Sequence, residues 1–378
     1  MNELPMPSDL KTAGLRVGAA PSVQAGLSQA AAPVAAPALE PPSVKLIVRL
    51  FLIPLLIAVA VIGIMLPISK LAGGSDNLDD AIARLKKPGG ERTGEWLVGP
   101  GSKQRYMDAQ AVTNAMKTKG RMTEAERIKL CGQLIEILDH YTKPEEGVVQ
   151  HFLLLALGRV WQVDPEQASS PMNSPEAAAS RQEAMSTLLK YADADQVPTR
   201  KAALLALAYW AGRDEVKQAI PVLIRHLKED PDVDVRMAAA TALGPLASPD
   251  DQNVIEALNR AMRDSDPRDV ELVWDAAGSL AQLNRPEAKD TILKLLDRKE
   301  LAELRVYDRE TDPKNPTFRP LSEQEQQRIL INSMLCAKNL HLPEVQDRLK
   351  QITASDPSER VRAAGQEILQ QKGRPVVE

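Results

Sequence analysis

At 378 residues with 44% hydrophobic content, the chain is long enough for one or two domains with sizeable cores. Only 3% of it is aromatic, so a core must come mostly from Ala, Leu, Val and Ile, which suits closely packed helix pairs. A formal net charge of −4 excludes a global electrostatic drive toward nucleic acid, and two cysteines without a CxxC, Cys131 and Cys336, exclude a disulfide framework.

Residues 1–44 are rich in Ala, Pro, Ser and Gly, as in AAPVAAPALEPPS. Such a segment buries too little apolar area to offset its ordering entropy and is predicted to be disordered. Next comes an uncharged run, Leu50 to Ser69, reading LFLIPLLIAVAVIGIMLPIS between Arg49 and Lys70. At about 1.5 Å per residue it spans roughly 30 Å, the thickness of a bilayer hydrocarbon core. Residues 45–70 are therefore predicted to be a single transmembrane helix, apolar on every face. It begins too far into the chain for a cleaved signal peptide. Lys45 and Arg49 on its N-side, against Asp76, Asp79 and Asp80 after Lys70, place the N-terminus in the cytoplasm and the large domain on the opposite side. Residues 71–122 read as a polar connector, with DNLDDAIARLKK and SKQRYMDAQAVTNAMK as short helices.

From residue 123 to 373, helical periods alternate with turn signals. Six segments share an Ala/Leu pattern, with anchoring leucines at Leu157, Leu207, Leu243, Leu280, Leu335 and Leu369. Their spacings are 50, 36, 37, 55 and 34 residues. The two long ones are one period plus an insertion, at 163–174 and at 300–320. A two-helix repeat of this length is the signature of an α-solenoid.

The clearest unit, AIPVLIRHLKEDPDVDVRMAAATALGPLA at 219–247, resembles the HEAT repeat, particularly the HEAT-like form of phycobilisome lyases. An apolar first helix, an Asp-Pro turn and a Val-Arg pair leading an Ala-rich second helix carry the resemblance. The expected fold is all-α: about six HEAT-like pairs after one transmembrane helix and a disordered tail. Seven residues before four of the anchoring leucines stand Arg200, Arg236, Arg328 and Arg362, almost two helical turns away and on the same face. The resemblance implies a structural ladder in which such arginines bond aspartates of the inter-helix turns. Asp230, Asp232 and Asp356 are the expected partners, with breaks at Gln150 and Val273.

The chain offers little chemistry. GPGSK at 99–103 lacks the spacing of a phosphate loop, and GxSxG, HExxH and EF-hand patterns are missing. His140 and His151, near Asp139 and Glu145, read as a solvated cluster, and both cysteines as buried thiols. No catalytic, cofactor or metal residue is assigned, and no small-molecule substrate is evident. Trp161, Trp210 and Trp274 read as inter-repeat packing.

The resemblance puts the second helices on the concave face. Positions two, five and nine residues before each anchoring leucine then point away from the core. In the first two repeats these are mainly apolar, giving a candidate partner groove of Val148, Phe152, Leu155 and Leu205, with Tyr209 beside them; later they are polar, as at Asp234, Thr241, Asp275 and Ser333. The ridge is either open or covered by the protein itself, through Glu95–Lys117 or the 163–174 insertion. Three functions stay open: a membrane-anchored, non-enzymatic scaffold for a protein partner, a lyase- or chaperone-like role in cofactor attachment, and a structural rod.

Overall fold

The computed structural model describes residues 78–86, 100–118, 122–143, 146–163, 174–308 and 317–370. The chain divides into Met1–Ser69 and Lys70–Glu378, and every described residue lies in the second unit. The predicted tail at 1–44, the transmembrane segment at 45–70 and most of the 163–174 insertion lie outside the described residues. Among the described residues no helix is long and apolar enough to cross a membrane.

Fourteen of the fifteen α-helices among the described residues form seven consecutive pairs. The first pair is α1 (Leu78–Lys86) with α2 (Pro100–Thr118), followed by α3 (Glu124–His140) with α4 (Gly147–Val160) and α5 (Pro175–Ala192) with α6 (Val197–Leu207). Next come α7 (Ala219–Glu229) with α8 (Val233–Leu246), and α9 (Gln252–Asp264) with α10 (Val270–Gln282). The sixth pair, α11 (Lys289–Leu295) with α13 (Glu323–Ala337), encloses the short α12 (Arg298–Glu303) and a hairpin of β1 (Arg305–Tyr307) and β2 (Phe318–Pro320). The last is α14 (Pro343–Ser355) with α15 (Glu359–Gln370). Second helices stack on one another in the order α2, α4, α6, α8, α10, α13, α15, and the first helices form the other layer. One contiguous core runs between the layers.

The expected count of about six pairs is corrected to seven. The stretch read as connector supplies the additional pair, because its two helices bury apolar stripes. Ala81, Ile82 and Leu85 are buried on α1, and Ala109, Val112 and Met116 on α2. Arg84 closes this pair through Asp108, 2.8 Å away and almost wholly buried. Tyr141 then donates to the Leu85 carbonyl at 3.2 Å, and Tyr191 repeats the bond one unit later to the Leu138 carbonyl at 3.0 Å. The same tie at both junctions marks α1–α2 as a repeat unit. The described residues of the 300–320 insertion include the end of α12 and the two hairpin strands.

Local signals set the helix starts. Thr123 with Glu126 and Ser322 with Glu325 form reciprocal capping boxes at α3 and α13. Asp232, Asp251 and Asp297 accept backbone N–H bonds at the starts of α8, α9 and α12. Small residues let second helices approach closely. A Cβ added to Gly158 would lie 2.5 Å from the Ala206 carbonyl oxygen.

Helix α13 corrects the repeat alignment. Leu335, expected as its anchor, is 47% exposed, while Met334 is fully buried. Ser333, expected to face outward, is buried, and Arg328 is exposed. All three differences follow from a frame one residue off, which turns each side chain by about 100° about the helix axis. Leu369 is exposed for another reason. Helix α15 is the last described helix, so no further second helix stacks on it there.

Candidate functional site

Arginine clamps join consecutive repeats. Arg200 is bidentate to Asp230, with both contacts at 3.0 Å, and its remaining nitrogen donates to the Ala194 and Asp195 carbonyls. Arg236 repeats the pattern, donating to the Asp230 and Pro231 carbonyls and reaching forward to Asp269 at 2.7 Å. Arg362 donates to the carbonyls of Asp356 and Pro357 in the same way. Each arginine therefore satisfies the open carbonyls of its own turn, and Arg200 and Arg236 also grip an acid of the next.

The Asp-Pro turns at Asp230 and Asp356 are built alike. Both carboxylates are nearly buried and accept the N–H two residues on, from Asp232 and Ser358. Burial alone would raise the Asp230 carboxyl, but hydrogen bonds from Arg200, the Asp232 amide and His226 outweigh it and hold it below the usual range. Asp356 is lowered in the same way, with Arg298 as its main partner.

Arg298 corrects the expected ladder. It comes from the α12 insertion and binds Asp356 through two 2.7 Å contacts, and it was not among the four arginines expected. Asp232 caps α8 rather than receiving an arginine. Gln150 does not leave an empty rung. It donates to the Tyr141 carbonyl and accepts from Thr199 at 2.7 Å, a neutral version of the clamp.

The second-helix layer has a different character. Val148 is 49% exposed on α4, and Phe152 and Leu155, one and two turns on, stay half-buried. Half-buried Leu205 on α6 and Tyr209 in the 3-10 turn after it follow on the next second helix. Arg159 ties the two helices, its guanidinium 4.0 Å from the Tyr209 ring centroid and donating to the Tyr209 hydroxyl at 2.6 Å. Helix α2 belongs to this layer and stacks beside α4 as every second helix stacks on its predecessor. Its Tyr106 meets Phe152 edge-on, with ring centroids 5.3 Å apart, and Thr113 donates to the Phe152 carbonyl at 2.7 Å. Tyr106 and Met107 are themselves exposed. The segment named as one possible cover of the ridge thus covers part of Phe152 and brings two exposed apolar side chains of its own to the layer. Those two were missed, although the buried spacing Ala109, Val112, Met116 places α2 in a packed layer and turns 106–107 outward.

Beyond α6 the layer becomes polar. Lys201 pairs with Asp234 at 3.2 Å, and Thr241, Glu271 and Asp275 follow. Asp275 opens into a cavity of about 310 Å³ between α8, α10 and α13, walled by Trp274, Ile329, Leu335 and Cys336. Burial, then the charge of Glu271, pushes the Asp275 carboxyl up to about 7, against Lys201, the Thr241 hydrogen bond and Arg328. A larger cavity, about 510 Å³, sits at the turn before α10. Its Arg236 and Arg268 are already paired with Asp269 and Asp266 at 2.7 Å.

Nucleophiles and metal ligands give no such focus. Burial raises the Cys131 thiol and pushes Cys336 up to about 11, so both stay protonated near neutral pH. His151 packs edge-on against Phe152, and burial lowers its pKa. Among the described residues no group of three metal-ligating side chains converges. Trp161 and Trp210 are fully buried, while Trp274 is only partly so.

With this arrangement in view, the comparison with protein families is direct. Residues 185–273 and 220–307 each match the family model for HEAT repeats. The matched stretch is about a third of the chain and runs from the C-terminal half of α5 through α6 to α12. No curated protein matches the chain. HEAT repeats are helical repeats that generally mediate protein–protein interaction, and this chain contains them within a helical array.

Proposed function

We propose that this protein is a membrane-anchored, non-enzymatic scaffold whose HEAT-repeat array receives a protein partner on its second-helix layer. The observation that carries the reading is the set of exposed apolar side chains on the first second helices, Tyr106, Met107 and Val148, with Tyr106 packed edge-on against half-buried Phe152 and with Leu155, Leu205 and Tyr209 half-buried beyond it. An exposed apolar patch on a rigid scaffold marks an interaction surface, and a repeat array offers a long one. The run Leu50–Ser69 supports the anchor through its length and lack of charge. Anchoring would confine the array to two dimensions and raise its effective concentration near partners in the same membrane. The flanking charges favour a cytoplasmic N-terminus with the array on the opposite side.

Two measurements test this reading. In the first, a photo-crosslinking amino acid replaces Val148 in intact cells. Adducts with one distinct polypeptide support the scaffold, and adducts with only this protein overturn it. In the second, membranes are washed at alkaline pH. The full chain is expected to stay in the membrane fraction and a chain lacking 45–70 to be released. Release of the full chain would remove the anchor from the reading.

A further inference from the structure

In the cavity between α8, α10 and α13 an acidic group, an indole and an exposed aliphatic side chain converge. At about 310 Å³ it lies at the small end of ligand pockets, which run from about 300 to 1,000 Å³, so it suits one long side chain better than a cofactor. Its chemistry is asymmetric. Trp274, Ile329 and Leu335 provide an apolar wall, and Leu335, in the last turn of α13, is 47% exposed. Asp275 provides a carboxyl at the same opening, with Glu271 one turn before it on α10.

The groups facing Asp275 come from four second helices, and the Cys336 thiol on α13 is one of them. Glu271 is on its own helix, Lys201 on α6, and Arg328 on α13, while α8 presents the Thr241 hydroxyl. Lys201 is already joined to Asp234 at 3.2 Å. Arg328 is turned out to solvent by the frame of α13. Neither cation is bonded to Asp275. The carboxyl is thus held in a partly apolar opening without a bonded counter-ion, a state that costs stability and that a cationic guest would relieve.

We propose that this cavity is a subsite for one arginine side chain of the partner, with the guanidinium on Asp275 and its stem against Trp274 and Leu335. Arginine fits better than lysine because its planar head bonds a carboxylate while lying on an indole face. The subsite rests on the scaffold reading above and adds the chemistry of one residue of the partner.

The test uses the full chain in mild detergent and Nα-acetyl-arginine amide as probe, followed by saturation-transfer NMR. The neutral isostere Nα-acetyl-citrulline amide is the control. The expected result is saturation of the arginine stem protons and none for citrulline. Asp275 titrates near 7, so apparent affinity should fall about tenfold between about pH 8 and about pH 6. Asp275→Asn should abolish both the binding and its pH dependence. Equal saturation by citrulline, a flat pH profile, or undiminished binding by Asp275→Asn would overturn the subsite. If Asp275→Asn fails to fold, the citrulline comparison and the wild-type pH profile decide alone. A partner that crosslinks at Val148 while the probe does not bind would remove the subsite and leave the scaffold standing.

Discussion

The Asp230 clamp shows how single residues hold neighbouring repeats in register. The pair is mostly buried, with Arg200 12% and Asp230 4% exposed, so removing one partner leaves an uncompensated charge. Asp230→Ala is expected to cost about 3–5 kcal/mol in urea unfolding, well above the roughly 1 kcal/mol of a surface pair. The pH dependence has a definite sign. The folded carboxyl lies below its unfolded value, so the clamp's contribution is complete above that value, about 3.9. It fades as pH falls through the lower, folded value. The gap between wild type and Asp230→Asn should therefore persist down to about pH 5 and shrink in stronger acid. Three arginines of this system, Arg200, Arg236 and Arg362, were legible because a Val-Arg or Thr-Arg pair follows each turn. Arg298 was not, because it lies in an insertion and reaches its acid only through tertiary packing.

Glycines give a second test at this scale. Gly132 on α3 has nothing within 4 Å of an added Cβ, so Gly132→Ala should gain about 0.5–1 kcal/mol from helix propensity. Gly158→Ala has the same propensity gain but sets its methyl against the Ala206 backbone. Overpacking of this kind costs about 1–3 kcal/mol, so the net effect should be destabilising. Thermal melts of the two variants in parallel check both signs.

At the scale of elements, the helices were readable from periodicity and caps, but two assignments needed the packing. Helix α2 looked polar because only one narrow stripe is apolar, and its neighbour α4 had to be in place before that stripe had a role. Helix α13 carries Arg328 and Leu335 at the repeat's expected spacing, yet α12 and the hairpin change how it docks. A residue's face on a helix is decided by its neighbours, and a shift of one position leaves the sequence pattern almost unchanged. The two frames make opposite predictions. Met334→Ala is expected to cost about 2–5 kcal/mol, as for a fully buried side chain, whereas Leu335→Ala should cost under about 1 kcal/mol. The reverse order in urea midpoints would restore the original frame.

At the scale of the molecule, each pair in Lys70–Glu378 contacts mainly its sequence neighbours, so the surface along one layer can change character without disturbing the core. The layer uses that freedom. Its first three second helices carry exposed or half-buried apolar side chains at Tyr106, Met107, Val148, Phe152, Leu155 and Leu205, and the next ones carry acids and the Asp275 cavity. The change from apolar to polar was readable in the sequence, because the outward positions fall at fixed offsets from the anchoring residues. The cavity was not, since it depends on the rotated α13.

The most direct measurement is affinity capture from detergent-solubilised membranes after crosslinking, comparing wild type with Met107→Glu/Val148→Glu. Both residues are exposed, so circular dichroism and melting should be unchanged while two charges enter the exposed apolar set. The account predicts one stoichiometric partner with wild type and at least about a tenfold loss with the variant, since desolvating an unpaired charge costs more than 1.4 kcal/mol. Equal recovery of the partner by the folded variant, or recovery of this protein alone from both, would contradict it.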